Sequence, residues 1–216
     1  MKRNNSLLIF AVLTSILFCS STVIAQNEVP LEKQNSIVFK GGVFVPKGDI
    51  DELDNGFSGE VLYNRYLTKN FAMEAGGGLY HSEGTFNGVE PVVGSYTEKD
   101  EISVVPVKFN IKAIVPFSIG EFYLGGGVGL YLATVESNIT STGLGSFSLD
   151  ASDVVFGAQF KAGTIFNINE KLFFGIEGEY MITDTAEFTE DVFGVPITVE
   201  SDLNGFTING VFGFSF

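Results

Sequence analysis

The feature of this sequence that most restricts its fold is a repeated alternation of apolar residues with small or polar ones. Between residues 154 and 168 the even-numbered positions are apolar except for Thr164, and the positions between them include Gln159 and Lys161. The last stretch, GFTINGVFGFSF, has phenylalanine at positions 206, 212, 214 and 216. Because successive side chains of a β-strand point to opposite faces, a period of two predicts strands with one apolar and one polar face.

The same period divides most of the chain into segments of strand length. The connections between them alternate between short ones, such as residues 67–70, and long ones, such as residues 137–151. Short turns at one end and long polar loops at the other are typical of up-and-down outer-membrane barrels. The predicted strands are residues 36–46, 56–67, 71–82, 101–117, 122–136, 152–168, 171–183 and 202–216.

The start of the chain has the composition of a secretory signal peptide. A basic beginning precedes a mainly apolar run, and Val23 and Ala25 then form a small-residue cleavage motif. The apolar run, about a dozen residues, is shorter than the ~20 that a membrane-spanning helix needs. The sequence therefore predicts a signal peptide over residues 1–25, a short periplasmic segment over 26–35 and a barrel over 36–216.

The alternation by itself also fits a soluble protein. In a β-sandwich or a lipocalin-like barrel the faces would be reversed, and the aliphatic side chains would form the core. Three features favour the membrane: the signal peptide, the rhythm of short and long connections, and the phenylalanine-rich last strand. A closed barrel also leaves no strand edge unpaired in lipid. We therefore predict an all-β protein, an eight-stranded antiparallel up-and-down transmembrane β-barrel.

The polar face of the predicted strands carries equal numbers of basic and acidic side chains. The interior of an eight-stranded barrel is just wide enough for side chains to fill it, and an unpaired buried charge is costly, so these groups are expected to pair with one another. Nothing among them resembles a nucleophile with its base, which favours a structural role over acid–base catalysis. The predicted interior ion-pair network consists of Lys40, Glu60, Glu74, Lys108, Lys112, Lys161, Glu177 and Glu179.

Two short turns predict which of these side chains face one another. A tight turn at the dipeptide NE places Lys161 opposite one of the two glutamates of the seventh strand, because paired residues on one face have matching parity. With Phe117 opposite Phe122 across the sequence SIGE, Lys112 is predicted to lie opposite Gly127.

The sequence offers little that could carry catalysis or metal binding. His81, the sole histidine, is followed by Ser82, but adjacent side chains of a strand point to opposite faces and do not readily form a nucleophile–base pair. The long loops are rich in Asp and Glu but lack the spacing of a calcium-binding loop. We therefore expect no catalytic residue, no cofactor and no metal site, and the loop acids are expected to be solvated. The alternative for these acids is Ca²⁺ or Mg²⁺ that bridges them to lipopolysaccharide phosphates. The formal net charge of -14 argues against nucleic acid as a partner.

The stretch GGVFVPKGDIDELDNGFSGEVLYNRYLTKNFAMEAGGGLY resembles the first three strands of the small outer-membrane β-barrel domain family, which includes OmpX, OmpW and the membrane domain of OmpA. The residues that carry the resemblance open the first loop, restart the second strand or lie on the second and third strands: Pro46, Gly48, Asp49, Gly56, Phe57, Tyr63 and the run from Glu74 to Gly78. It implies a monomer in the outer membrane of a Gram-negative bacterium, surrounded by outer-membrane lipids and lipopolysaccharide. It also implies that Phe216 is a signal for the barrel-assembly machinery.

These observations favour a structural or surface-interaction protein with a plugged, charge-paired interior and acidic extracellular loops. We expect that the protein is not an enzyme. The alternative is a narrow conduit for small apolar molecules, similar to OmpW, although such a conduit needs an apolar lumen. A third alternative is a lipid A-modifying enzyme with a His and a Ser, which the opposite directions of His81 and Ser82 disfavour.

Overall fold

The computed structural model describes residues 35–90, 94–143, 145–192 and 195–216. The predicted signal peptide and residues 26–34 of the predicted periplasmic segment lie outside the described residues. In the described ranges, no helix is long and apolar enough to cross a membrane. The strands are β1 (Asn35–Pro46), β2 (Gly56–Thr68), β3 (Phe71–Glu90), β4 (Gly94–Phe117), β5 (Gly120–Ser141), β6 (Gly145–Asn167), β7 (Leu172–Thr183), β8 (Thr185–Val192), β9 (Val195–Asp202) and β10 (Gly205–Ser215), with a 3-10 turn at Gly48–Ile50.

Eight of these strands close into one antiparallel barrel in the order β1-β10-β7-β6-β5-β4-β3-β2. Chain neighbours are also neighbours in the ring, which confirms the predicted eight-stranded up-and-down barrel. The exception is the pair β8 and β9, which forms a separate hairpin between β7 and β10. The sequence predicts a long loop over residues 184–201, so this hairpin is a difference from the prediction.

Four neighbouring strands are much longer than predicted. β3 to β6 have 20 to 24 residues, whereas the other barrel strands have 11 to 13. Their outer parts pair with one another beyond the barrel ring, mostly in regions that the sequence predicts as loops. In residues 82–90 and 94–103 polar side chains dominate both faces, so the apolar period does not reveal these parts of β3 and β4. We call residues 82–90, 94–103, 134–141 and 145–156 the strand extension.

The barrel has two different ends. The β2–β3, β4–β5 and β6–β7 turns lie at one end together with Asn35 and Phe216, and we call this the short-turn end. The 3-10 turn, the strand extension and the β8–β9 hairpin lie at the other, which we call the long-loop end. In the strand extension, Gly94 and Gly145 begin β4 and β6 with φ angles of 77° and 82°, a left-handed conformation that glycine adopts without strain.

The turn between β4 and β5 is tighter than predicted. Phe117 pairs with Gly120, so only two residues make the turn, whereas the sequence analysis counted all four residues of SIGE. The predicted pairing of Phe117 with Phe122 is therefore wrong. The correction shifts the register by two residues and places Lys112 opposite Gly125 instead of Gly127.

Apolar side chains cover the outside of the barrel and also fill two layers inside it. The outward band includes Phe39, Val61 and Phe160, each about half exposed, as a lipid-facing surface requires. The inner apolar side chains form two clusters, one towards each end. Towards the long-loop end lie Phe44, Ile50, Tyr80, Ile102, Val104, Tyr131, Ala133, Val155, Met181, Ala186, Phe188 and Leu203, and towards the short-turn end lie Val38, Leu62, Ala72, Ile114, Tyr123, Ile165, Phe173 and Val211.

Candidate functional site

All eight charged side chains singled out from the sequence face the interior of the barrel. Each is at most 5% exposed. On five of the six contributing strands they lie between residues of the two apolar clusters: on β1, for example, Lys40 lies between Val38 and Phe44. The charged groups therefore form a middle layer with an apolar layer on either side.

Glu74 on β3 is the meeting point of three lysines. Its Oε1 atom lies 2.9 Å from Nζ of Lys161 and 3.4 Å from Nζ of Lys40, and its Oε2 atom lies 2.8 Å from Nζ of Lys112. These lysines come from β6, β1 and β4. Glu74 therefore ties together strands on different sides of the lumen.

Lys108 on β4 makes a second meeting point. Its Nζ atom lies 2.6 Å from Oε1 of Glu60 and 2.5 Å from Oε1 of Glu179. Lys161 joins the two groups, because its Nζ atom lies 2.7 Å from Oε2 of Glu179 as well as near Glu74. Glu177 is held by Lys40, at 2.8 Å between Oε1 and Nζ. The four lysines and four glutamates thus form one connected network.

Neutral polar groups complete the middle layer. Tyr123 donates its hydroxyl hydrogen to Oε2 of Glu177 at 2.6 Å, and Asn110 donates from Nδ2 to Oε1 of Glu74 at 3.2 Å. Tyr80 donates to Oε1 of Glu60 and accepts a hydrogen bond from Lys108 at 2.8 Å. The sequence analysis did not single out Tyr80, although its position six residues after Glu74 on the same strand places both on the inner face.

Glycines on β5 make room for the long lysine side chains of β4. Gly125 lies opposite Lys112, and Gly129 lies opposite Lys108. A Cβ atom at Gly125 would lie 3.0 Å from Cγ of Lys112, and one at Gly129 would lie 3.2 Å from Cγ of Lys108. Both distances are tighter than ordinary packing, so side chains here would push the lysine stems away from their glutamates.

The network is suited to holding the barrel strands together. Its charges balance, and every carboxylate lies within 4 Å of at least one ammonium group. Carboxylates and ammonium groups held in this way are shielded from solvent and neutralised by one another. The arrangement can therefore fix strands across the lumen without leaving a charged group free to transfer a proton.

His81 and Ser82 point in different directions, as their adjacent positions predicted. Ser82 lies inside and donates its hydroxyl hydrogen to the carbonyl of Asp54. His81 instead has Ser103 as its partner, with 3.0 Å between Nδ1 and Oγ. This contact depends on the β3–β4 register, which the sequence did not provide. Within the part of the chain that the structure describes, no group of three or more His, Cys, Asp and Glu side chains is arranged to hold a metal ion.

Phe216 lies at the seam between the last and the first strand. Its backbone N–H donates to the carbonyl of Asn35 at 2.9 Å, which extends the pairing of β10 with β1. Its side chain is 49% exposed and stacks on Phe214, with 6.1 Å between ring centroids. The terminal side chain is thus accessible from outside the barrel.

The profile of the outer membrane protein beta-barrel domain family matches residues 11–216. The chain belongs to this family. It is accordingly an outer-membrane β-barrel protein of a Gram-negative bacterium, and outer-membrane lipids and lipopolysaccharide surround it. A comparison with curated proteins gives no match.

Solved structures share the fold at low sequence identity. OprG from Pseudomonas aeruginosa is 14% identical with a TM-score of 0.52, and the match covers 86% of this chain and 97% of OprG. AlkL, solved in DMPC lipid bilayers, is 13% identical with a TM-score of 0.51, covering 88% of this chain and 94% of AlkL. Ail from Yersinia pestis is 16% identical with a TM-score of 0.48, covering 86% of this chain and all of Ail. At these identities the likeness to OprG and AlkL is one of fold.

Proposed function

We propose that this protein is a closed barrel with a structural or surface-interaction role, and that its lumen does not conduct ions or small solutes. The observation that carries the proposal is the stack of three layers in the lumen: an apolar layer, the ion-pair network and a second apolar layer. An eight-stranded barrel leaves space for side chains and little more. These layers plug the lumen.

The order of the layers is unfavourable for ion passage. A permeating ion would lose its hydration in an apolar layer, where no charged group replaces the water. It would then meet charges that are already paired, such as Lys108 with Glu179, and would have to separate them at a cost of several kcal/mol.

The alternative function is a narrow conduit for small apolar molecules. The two apolar layers favour it in part, because such a solute could enter either of them. However, the path between them crosses eight buried charged side chains, and an apolar solute offers them no hydrogen bonds or charge. The ion-pair network thus favours the plug over the conduit.

The surface of the barrel supports an interaction role at the long-loop end. In the described part of the chain, the basic side chains at this end are Lys47 and Lys99, among many acidic ones. Arg65, Lys69 and Lys171 lie at the short-turn end. With the short turns in the periplasm, the acidic long-loop end faces outwards and favours cationic partners through long-range attraction.

The protein acts as a monomer and reaches the membrane through the barrel-assembly machinery, which reads Phe216.

Conductance of the purified protein in planar lipid bilayers tests the proposal. Folded protein, identified by its heat-modifiable mobility on gels, is expected to give no steady openings at either polarity. An open porin inserted under the same conditions is the control for detection. Steady openings of uniform size would contradict the plug, and uptake of a small apolar solute by vesicles that contain the protein would favour the conduit.

A further inference from the structure

The lipid-facing surface of the barrel carries one charged side chain. On the eight barrel strands outside the strand extension, all of which the structure describes, the outward residues include a single Asp, Glu, Lys or Arg. This residue is Arg65 on β2. A charged group that faces lipid is destabilising, and the effect decreases from the middle of the membrane towards the headgroups. The position and the neighbours of Arg65 therefore decide what this charge can do.

Arg65 lies close to the edge of the apolar band at the short-turn end. Its outward neighbours on β2 are Tyr63, which is 44% exposed, and Leu67, which is 53% exposed. Met73 lies opposite it on β3. Leu67 is the last outward residue of β2, so Arg65 is one outward position away from the end of the band. The flexible stem of Arg65 can lie along these apolar groups while its guanidinium group reaches the lipid headgroups.

Asn35 on β1 adds hydrogen-bond donors beside the guanidinium group. Asn35 is paired directly with Arg65 across the β1–β2 ladder, and the Cβ atoms of such pairs lie on one face, about 5 Å apart. The hydroxyl group of Tyr63 donates to Oδ1 of Asn35, with 2.5 Å between the two oxygens. This bond orients the amide, whose Nδ2 atom still has its hydrogens to donate. Arg65 and Asn35 thus place a guanidinium group and an amide donor next to each other at the edge of the apolar band.

The charge of Arg65 has no carboxylate beside it. Among the described residues, the ion pairs outside the lumen are those of Lys99, and Arg65 takes part in none. A guanidinium group with an amide donor beside it fits a phosphate group, because arginine can donate two parallel hydrogen bonds to phosphate oxygens. The outward side chains around Arg65 offer no negative charge to the ammonium group of a zwitterionic headgroup. An anionic phospholipid therefore fits this position better than a zwitterionic one.

We propose that Arg65 and Asn35 bind the phosphate group of an anionic phospholipid in the periplasmic leaflet of the outer membrane. The acyl chains of this lipid pack along outward apolar side chains of β2 and β3, such as Tyr63 and Met73. The choice of the periplasmic leaflet, which consists of phospholipids, rests on the proposed orientation with the short turns in the periplasm. Binding by purified protein depends neither on that orientation nor on a closed lumen, so its failure would be distinct from theirs.

Native mass spectrometry of the folded protein in detergent micelles tests this proposal, with phosphatidylglycerol and phosphatidylcholine of identical acyl chains as the probes. We expect phosphatidylglycerol to bind about fivefold more tightly than phosphatidylcholine, as one basic residue at a membrane surface provides. Glycerol 3-phosphate, which has the phosphate group without acyl chains, should not displace the bound lipid. Equal affinities for the two lipids would overturn the proposal, and displacement by glycerol 3-phosphate would overturn the assignment to a lipid.

Two matched variants locate the site. Arg65→Gln is expected to remove the preference for phosphatidylglycerol. Lys69→Gln removes an equal charge from the adjacent β2–β3 turn and should keep the preference. Equal losses in the two variants would indicate general charge attraction and would overturn the assignment to Arg65.

A third variant tests the site with Arg65 still in place. Asn35→Asp puts a carboxylate directly opposite the guanidinium group, where it should pair with Arg65 and repel a phosphate group. We expect this variant to lose the preference for phosphatidylglycerol as well. Heat-modifiable mobility on gels shows that each variant is folded. A folded Arg65→Gln or Asn35→Asp variant that kept the full preference would overturn the proposal.

Discussion

Lys161 and Glu179 face each other across the β6–β7 ladder, with 2.7 Å between Nζ and Oε2. The sequence predicts a glutamate of β7 opposite this lysine, and the register provides one. The predicted tight turn at NE is wrong, because the last pair before the turn is Asn167 with Phe173. The ammonium group of Lys161 also lies 2.9 Å from Oε1 of Glu74. Glu74 belongs to β3, which is three strands away from β6 around the barrel. One side chain thus joins a neighbour within the sheet to a partner across the lumen.

The first prediction concerns the loss of this ammonium group. Lys161→Met should destabilise the barrel by roughly 3 kcal/mol, because it leaves more buried carboxylates than buried cations. The measurement is urea unfolding of protein refolded into lipid vesicles, followed by far-UV circular dichroism, since the chain has no tryptophan.

Two further variants show whether charge balance is the reason. Lys161→Met combined with Glu179→Gln restores equal numbers of buried charges and should cost much less than the single change. Lys99→Met removes an ammonium group from an exposed pair with Glu101 and should have little effect. If the double variant were less stable than Lys161→Met, the interpretation as a balanced network would fail.

A second prediction concerns the space that β5 leaves for its neighbour. Gly127→Ala would place a Cβ atom 1.9 Å from the carbonyl oxygen of Phe109, so the strands would have to move apart. We expect a loss of about 1–3 kcal/mol in the unfolding experiment. Gly41→Ala is the matched control, because its Cβ atom would have 4.0 Å to the nearest atom, and it should leave stability nearly unchanged.

The third prediction concerns orientation in the membrane. Thr142, in the β5–β6 turn, should be outside the cell, and Glu170, in the β6–β7 turn, should be in the periplasm. With cysteine introduced at either position, a membrane-impermeant maleimide should label Thr142→Cys but not Glu170→Cys in intact cells. The opposite pattern would mean that the barrel is inverted.

The fourth prediction concerns the terminal phenylalanine. Phe216→Ala should lower the amount of barrel in the outer membrane and leave unassembled protein in the periplasm. Phe39→Ala is the control, since both side chains are 49% exposed and present similar surfaces to lipid. Equal outer-membrane levels of the two variants on immunoblots would show that Phe216 is lipid-facing surface and not an assembly signal.

The sequence by itself determined the number of barrel strands and the direction of their side chains. Alternation has a period of two in any β-strand, so Phe160 and Lys161 had to point to opposite faces wherever the strand lay. The balance of lysine and glutamate on the inner face was equally visible. What the alternation left open was the length of the long strands: in β3 and β4, polar residues on both faces of residues 82–90 and 94–103 give no apolar period.

The tertiary structure decided which charges meet across the lumen. Lys40 and Glu177 are 137 residues apart in the chain, and Nζ of Lys40 lies 2.8 Å from Oε1 of Glu177 only because β1 closes the ring against β10, which pairs with β7. The two-residue β4–β5 turn likewise placed Lys112 opposite Gly125. Strand registers and ring closure depend on contacts between distant segments, and a local pattern of residues does not contain them.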